Sequence, residues 1–311
     1  MKVLSYNNNG HHGVGVMVGD KEFVDLSKAV PDMPMDLRKI IEIDPSLESV
    51  RAAIDGRPAD MSIDDIEFDP VIREPHATWA LALNYKLHIE ETGLTTSPEY
   101  PQIFQRMPIC QVGHNQALWA PNPKIAEAYD YEAELAVIIG KPGRHIRREN
   151  ALQHVAGYSC YNEGSVREYQ RQNRQFGLGK NFERSGSFGP WLVTPDEFGD
   201  PADHSVVFRL NGIERQNARI SGMLFDCSRL IEYLSEGYTL QPGDVIVTGS
   251  PGALPLQPGE KPEDKLGPVF VEGQLHMRAG DFSEVEIDGI GILANPVVED
   301  PTSIKQLPMK N

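Results

Sequence analysis

The chain has 311 residues, with 45 Asp plus Glu against 29 Lys plus Arg, a formal charge of −16 with histidines neutral. That length can bury a sizeable core and divides into one large or two unequal domains. The acidic balance argues against a nucleic-acid or anionic-membrane partner, since both reward the opposite sign, although a local cation can still reverse the field inside a small-molecule site.

In chain order, the N-terminus Met1-Lys2-Val3-Leu4-Ser5-Tyr6-Asn7 reaches polar residues too soon to provide the apolar stretch of a signal peptide. Segments 14–18 and 22–24 flank Gly19-Asp20-Lys21 and predict a hairpin; amphipathic segments follow over 37–43 and 47–54. His11 and His12 fall in this unit without a carboxylate pattern that suggests chemistry. An acidic, proline-punctuated stretch, 63–70, then leads through Pro75 into the apolar segment 78–83. The expected division is a small N-terminal domain over 1–70 and a larger domain over 71–311.

Beyond that boundary strands and turns dominate. A helix is expected to end over 152–156, another to follow the 162–165 turn over 166–172, and a third to span 226–234. Asn211-Gly212 between 206–210 and 213–216 is the strongest short hairpin signal, and 245–248 and 284–287 predict strands. Helices and strands do not alternate regularly, which disfavours a doubly wound parallel fold and leaves an α+β, β-rich class. The longest apolar runs, 79–83 and 135–139, are too short to cross a bilayer. Cys110, Cys160 and Cys227 lack any CxxC spacing and are expected to be buried thiols in a reducing compartment, so a cytoplasmic protein is the expectation.

The segment most informative about chemistry is Tyr129-Asp130-Tyr131-Glu132-Ala133-Glu134-Leu135-Ala136-Val137-Ile138-Ile139-Gly140. On a strand, side chains two apart share a face, so Glu132 and Glu134 project side by side. Alternating charge is often a solvated strand face; at the edge of an apolar core, two like charges instead need a neutraliser, and a hard divalent cation with oxygen ligands is the simplest. His88 and Glu91 lie three apart in Asn84-Tyr85-Lys86-Leu87-His88-Ile89-Glu90-Glu91, where one helical turn would let a carboxylate orient an imidazole. The HExxH zinc pattern is absent there. Glu163 ends an apolar segment and could bring a third carboxylate. Gln170 follows, then Lys180 in Gly177-Leu178-Gly179-Lys180, without a phosphate-loop pattern. Thr248-Gly249-Ser250 closes a strand with a turn whose N–H groups could hold a carboxylate, or which is an ordinary turn.

The order of these blocks, from 83–91 through Pro101-Gln102-Ile103-Phe104, Asp130-Tyr131-Glu132-Ala133-Glu134-Leu135, 157–168, Gly179-Lys180-Asn181-Phe182 and 241–251 to Asp288-Gly289-Ile290-Gly291, resembles the fumarylacetoacetate hydrolase family, acylpyruvate hydrolases in particular, over residues 79–297. The resemblance implies a mixed β-sheet roll preceded by a small N-terminal α+β domain, and a homodimer. It implies Mg²⁺ or Mn²⁺, with Ca²⁺ as a third candidate, held by Glu132, Glu134 and Glu163, the last standing where the family most often has Asp. His88 and Glu91 would activate water, Gln170 and Lys180 would stabilise developing charge, and Arg106 with Thr248, Gly249 and Ser250 would hold a substrate carboxylate. The implied activity is metal-dependent C–C hydrolysis of an acylpyruvate in aromatic or small-acid catabolism. Decarboxylation of oxaloacetate-type acids, keto–enol isomerisation and sugar-acid dehydration are alternatives on the same site, and a non-catalytic metal or 2-oxo-acid binder is the second class. Substrate choice would rest on loops 94–100, 185–188 and 252–266.

Overall fold

The strand Ala133–Ile139 is the spine of the molecule, buried at all seven positions. A computed structural model describes residues 1–91, 96–255 and 276–302, and of Glu91 only the backbone. Leu135, Val137 and Ile139 pack on one side with Val206, Phe208, Val285 and Ile287, whereas Ala136 and Ile138 pack on the other with Leu37, Ile40, Ile41 and Val50. Covering on both faces explains why this strand is a continuous apolar run from Leu135 to Ile139 while Ser205–Leu210, in the sheet packed across it, alternates.

Among the described residues the spine belongs to a 12-stranded sheet. It pairs antiparallel with Val155–Asn162 on one side and with Val245–Val247 on the other; the latter runs parallel to Thr78–Ala82. A five-stranded sheet containing Ser205–Leu210, Phe282–Ile287 and Gly291–Glu299 packs across it. The architecture is the mixed, β-rich α+β class that the sequence predicts. The 1–70 segment contributes strands to the large sheet: Lys2–Asn8 pairs with Gly186–Val193, and the Met1 amine donates to Thr194 Oγ1 at 2.7 Å. Its helices, Leu37–Ile43 and Glu48–Ile54, cover the second face of the spine.

Local signals account for much of this. Asn211 and Gly212 have φ of 53° and 77°, positive at both central positions as a type I′ hairpin requires, and they join Ser205–Leu210 to Ile213–Arg219. Asp226 caps Cys227–Gly237 by accepting from the Arg229 amide at 2.8 Å. Two helices expected from periodicity differ. The region before 156 is a 3₁₀ segment, Arg148–His154, and Val155–Asn162 is a strand because Val155 pairs with Ile139 and Tyr158 and Tyr161 lie in ladders on both sides. The helix expected over 166–172 is one turn, Arg167–Gln170, since Ser165–Val166 pairs with Tyr129–Asp130. All three cysteines are free and buried, and no helix among the described residues is long and apolar enough to cross a membrane.

Candidate metal centre

Glu132 precedes the spine strand and Glu134 is its second residue, on the face shared by Ala136 and Ile138. Both are buried, so the alternation is not a solvated face. The strand Val155–Asn162 ends next to them, and Glu163 follows it, its amide donating to the Glu132 carbonyl at 2.8 Å. The chain can turn there because residue 164 is glycine; a Cβ would lie 1.5 Å from the Ser185 carbonyl oxygen. One carboxylate oxygen from each of Glu132, Glu134 and Glu163 lies within 4.8 Å of the others.

Three buried cations surround this trio. Lys180 Nζ donates to Glu163 Oε2 at 2.7 Å and to Glu132 Oε2. Arg167 reaches Glu132 Oε1 at 2.9 Å and Asp130 Oδ2 at 2.6 Å, and donates to the Gln170 amide oxygen at 2.8 Å. Arg106 donates to the Gly164 carbonyl at 2.9 Å and lies 3.7 Å from Glu163 Oε1. Counted as ionised, four carboxylates (Asp130, Glu132, Glu134, Glu163) face three fixed cations, leaving one uncompensated negative charge. Desolvation makes such an excess costly.

The titration behaviour follows the same geometry. Burial raises the Glu132 carboxyl, but Lys180, Arg167 and His88 overcome it and hold it well below the ordinary range. Burial, then Glu163 and Glu132, push Glu134 well above that range. Glu163 is raised to about 7 by burial, against the pull of Lys180 and Arg106. Glu134 Oε1 and Glu163 Oε1 are buried without a hydrogen bond. Three hard oxygen donors, two of them with an orphaned oxygen, and one excess negative charge fit a hard divalent cation.

The other sequence-predicted residues are placed as follows. His88, half-buried, is on the helix Lys86–Glu91, near enough for its charge to act on Glu132. The Glu91 side chain lies outside the described residues, as do parts of loops 94–100 and 252–266. Arg106 is buried against Glu163 and Gly164. Thr248 donates its hydroxyl to the Leu135 carbonyl at 3.1 Å, Gly249 donates its amide to Glu134 Oε2, and Ser250 Oγ is buried without a partner. Arg167 and Asp130, although they stand inside the family-like blocks, carry no role expected from the sequence, and neither do Asn84 and Gln216. A charged residue within a mostly apolar block was the available signal for Asp130; Arg167 stands among polar residues, and a neutral amide leaves no signal.

Residues 77–298 match the fumarylacetoacetate (FAA) hydrolase C-terminal family. The chain is 34% identical over 278 residues to the mitochondrial oxaloacetate tautomerase fahd2 of Xenopus laevis, covering 88% of this chain and 82% of the relative. To oxaloacetate tautomerase YisK of Bacillus subtilis (strain 168) it is 31% identical over 301 residues, 91% of this chain and 95% of the relative. Its fold matches maleylpyruvate hydrolase from Sphingobium sp. SYK-6, solved with manganese(II) and pyruvate, at a TM-score of 0.74 and 25% identity, covering 96% of this chain and 99% of that one. A family match over most of the chain, with the buried carboxylate trio inside the matched region, makes this protein a metal-dependent enzyme of the fumarylacetoacetate hydrolase family.

Proposed function

We propose that the protein is a divalent-metal-dependent keto–enol tautomerase of a small 2-oxo dicarboxylate of the oxaloacetate type. The observation that carries this reading is the charge balance of the site. One excess negative charge among Asp130, Glu132, Glu134, Glu163, Lys180, Arg106 and Arg167 becomes one excess positive charge when a divalent cation joins Glu132, Glu134 and Glu163, and the centre then attracts an anionic 2-oxo acid. The similarity to two oxaloacetate tautomerases over most of the chain supports proton transfer over C–C cleavage.

When bound, the cation supplies Lewis-acid polarisation of the substrate's 2-oxo group. His88 takes the proton from the carbon beside that group and returns it; its charge reaches Glu132. Gln170 is oriented by Arg167, which holds its amide oxygen and leaves the amide nitrogen to address developing negative charge. Lys180, between Glu132 and Glu163, supplies a second fixed positive centre. Arg106 acts on Glu163 rather than as an exposed anchor for substrate.

Hydrolysis of an acylpyruvate is the second reading, favoured by the likeness to maleylpyruvate hydrolase and by the same His88 acting on water. Enolic oxaloacetate and acetylpyruvate offered in parallel to Mn²⁺-loaded protein, with a chelator control, separate the two. The expected result is metal-dependent ultraviolet decay of the enol with no pyruvate or CO₂ formed. Faster release of pyruvate plus free acid from acetylpyruvate would move the protein to the hydrolases. His88→Ala should lower turnover by about 10²- to 10⁴-fold while Mn²⁺ affinity stays within about twofold.

A further inference from the structure

Gly249 donates its amide to Glu134 Oε2, while Glu134 Oε1 is buried without a hydrogen bond. One oxygen of this carboxylate is therefore taken by backbone and the other is left. The turn that delivers the amide is gripped from both sides by neutral side-chain amides. On one side, Asn84 donates to the Thr248 carbonyl at 2.6 Å and is itself held by Phe225, donating to its carbonyl at 3.0 Å and accepting from its amide at 2.8 Å. On the other, Gln216 accepts from the Ala133 amide at 2.9 Å and donates to the Pro251 carbonyl at 2.8 Å.

Ala133 is the residue between two carboxylates of the trio, so Gln216 joins the strand that carries them to the turn that restrains one of them. Both amides are buried. Gly249 has a φ of +90°, and a Cβ there would stand 2.7 Å from Asn84 Cβ; only glycine lets the turn close on the clamp.

We propose that the Asn84–Gln216 clamp makes Glu134 a one-oxygen ligand and thereby sets the ion selectivity of the centre in favour of Mn²⁺ or Mg²⁺ over Ca²⁺. The physical reason is coordination number. Ca²⁺ takes six to eight oxygens at variable geometry and readily accepts both oxygens of one carboxylate, whereas Mg²⁺ demands a small, near-octahedral shell. A carboxylate with one oxygen tied to a fixed N–H offers the smaller ion what it needs and denies the larger one its second contact. Gln216 acts through the turn and is a positioning residue; it makes no direct contact with the trio's carboxylates in the described contacts. The inference rests on Glu132, Glu134 and Glu163 forming the metal centre of the proposed enzyme.

The test is isothermal titration of the full-length, chelator-treated chain with Mn²⁺ and with Ca²⁺, on the unmodified protein and on Gln216→Met and Gln216→Asn. Methionine keeps the volume without the polar atoms; asparagine stays polar but is one methylene too short to reach both partners. The expected result is that the ratio of Mn²⁺ to Ca²⁺ affinity falls by about tenfold or more in either folded variant, the usual reach of groups behind a metal's ligands. A general loss of stability would weaken both ions together and leave the ratio alone. An unchanged ratio in the variants overturns the clamp. Mn²⁺ binding that persists undiminished in Glu132→Ala overturns instead the metal centre on which the proposed function rests.

Discussion

The two faces of the strand Ala133–Ile139 are built on opposite terms. On the first, Leu135, Val137 and Ile139 meet Val206, Phe208 and Val285, and Tyr131 stacks on Phe208 with ring centroids 4.0 Å apart. Contacts there are many and individually weak, and each side chain is stabilised by removal from water. On the second, at the start of the strand, Glu132 and Glu134 with Glu163 meet Lys180, Arg167 and Arg106. Contacts there are few, strong and mutually dependent, and the groups pay desolvation for a charge arrangement that only ion binding completes. The first face tolerates loss by degrees; the second does not.

Removing a charge from the polar face should be the most damaging change. Glu132→Ala takes away one ligand and leaves Lys180 and Arg167 short of a carboxylate, so a stability loss of about 3–5 kcal/mol is expected, with metal-dependent turnover abolished. Urea unfolding and titration with Mn²⁺ measure the two effects; retained Mn²⁺ affinity would contradict the assignment. The apolar face supplies the counterpart. Leu135→Ala should cost about 2–5 kcal/mol in unfolding free energy through its cavity, yet leave Mn²⁺ affinity within about twofold if the backbone register holds. Loss of ion binding in that variant would mean the two faces are coupled through the strand.

The smallest expected effect is one of pH, and it sharpens the contrast because only the polar face titrates. A carboxyl raised to about 7 in the folded protein, as burial raises Glu163, binds more protons folded than unfolded between its ordinary value and about 7. Stability of the metal-free protein should therefore fall as pH rises through that window. Glu163→Gln should flatten the fall, and saturating Mn²⁺ should reverse it, since the ion takes the proton's place and binds more tightly as pH rises. Thermal melts at pH 5, 6 and 7 with and without Mn²⁺ provide the check; a midpoint that rises with pH in the metal-free protein and its Gln variant alike would contradict it.

Much of the architecture was legible because its signals are local. The Asn211-Gly212 hairpin needs positive φ at two adjacent positions, the Cys227–Gly237 helix needs a cap and an apolar stripe, and the spine strand carries an apolar run from Leu135 to Ile139. The strand Val155–Asn162 was misread at its start because Leu152 to Ala156 carry no periodicity that separates a strand entering a ladder from a helix ending. In the site, Glu132 and Glu134 were visible as a pair because strand geometry repeats every two residues. Gln216 was not, since it meets Ala133 across 83 residues of chain and a neutral amide repeats with nothing.

By itself, then, the sequence determined the β-rich class, the paired carboxylates and the family to which their order belongs, because periodicity and motif spacing are properties of neighbouring residues. Only the tertiary structure decided that Lys180, Arg167 and Arg106 enclose Glu132, Glu134 and Glu163 with one negative charge unbalanced, and that Asn84 and Gln216 hold the Gly249 turn against Glu134. Charge balance and hydrogen-bond direction depend on distances between segments far apart in the chain, and those distances exist only once the sheets have closed around them.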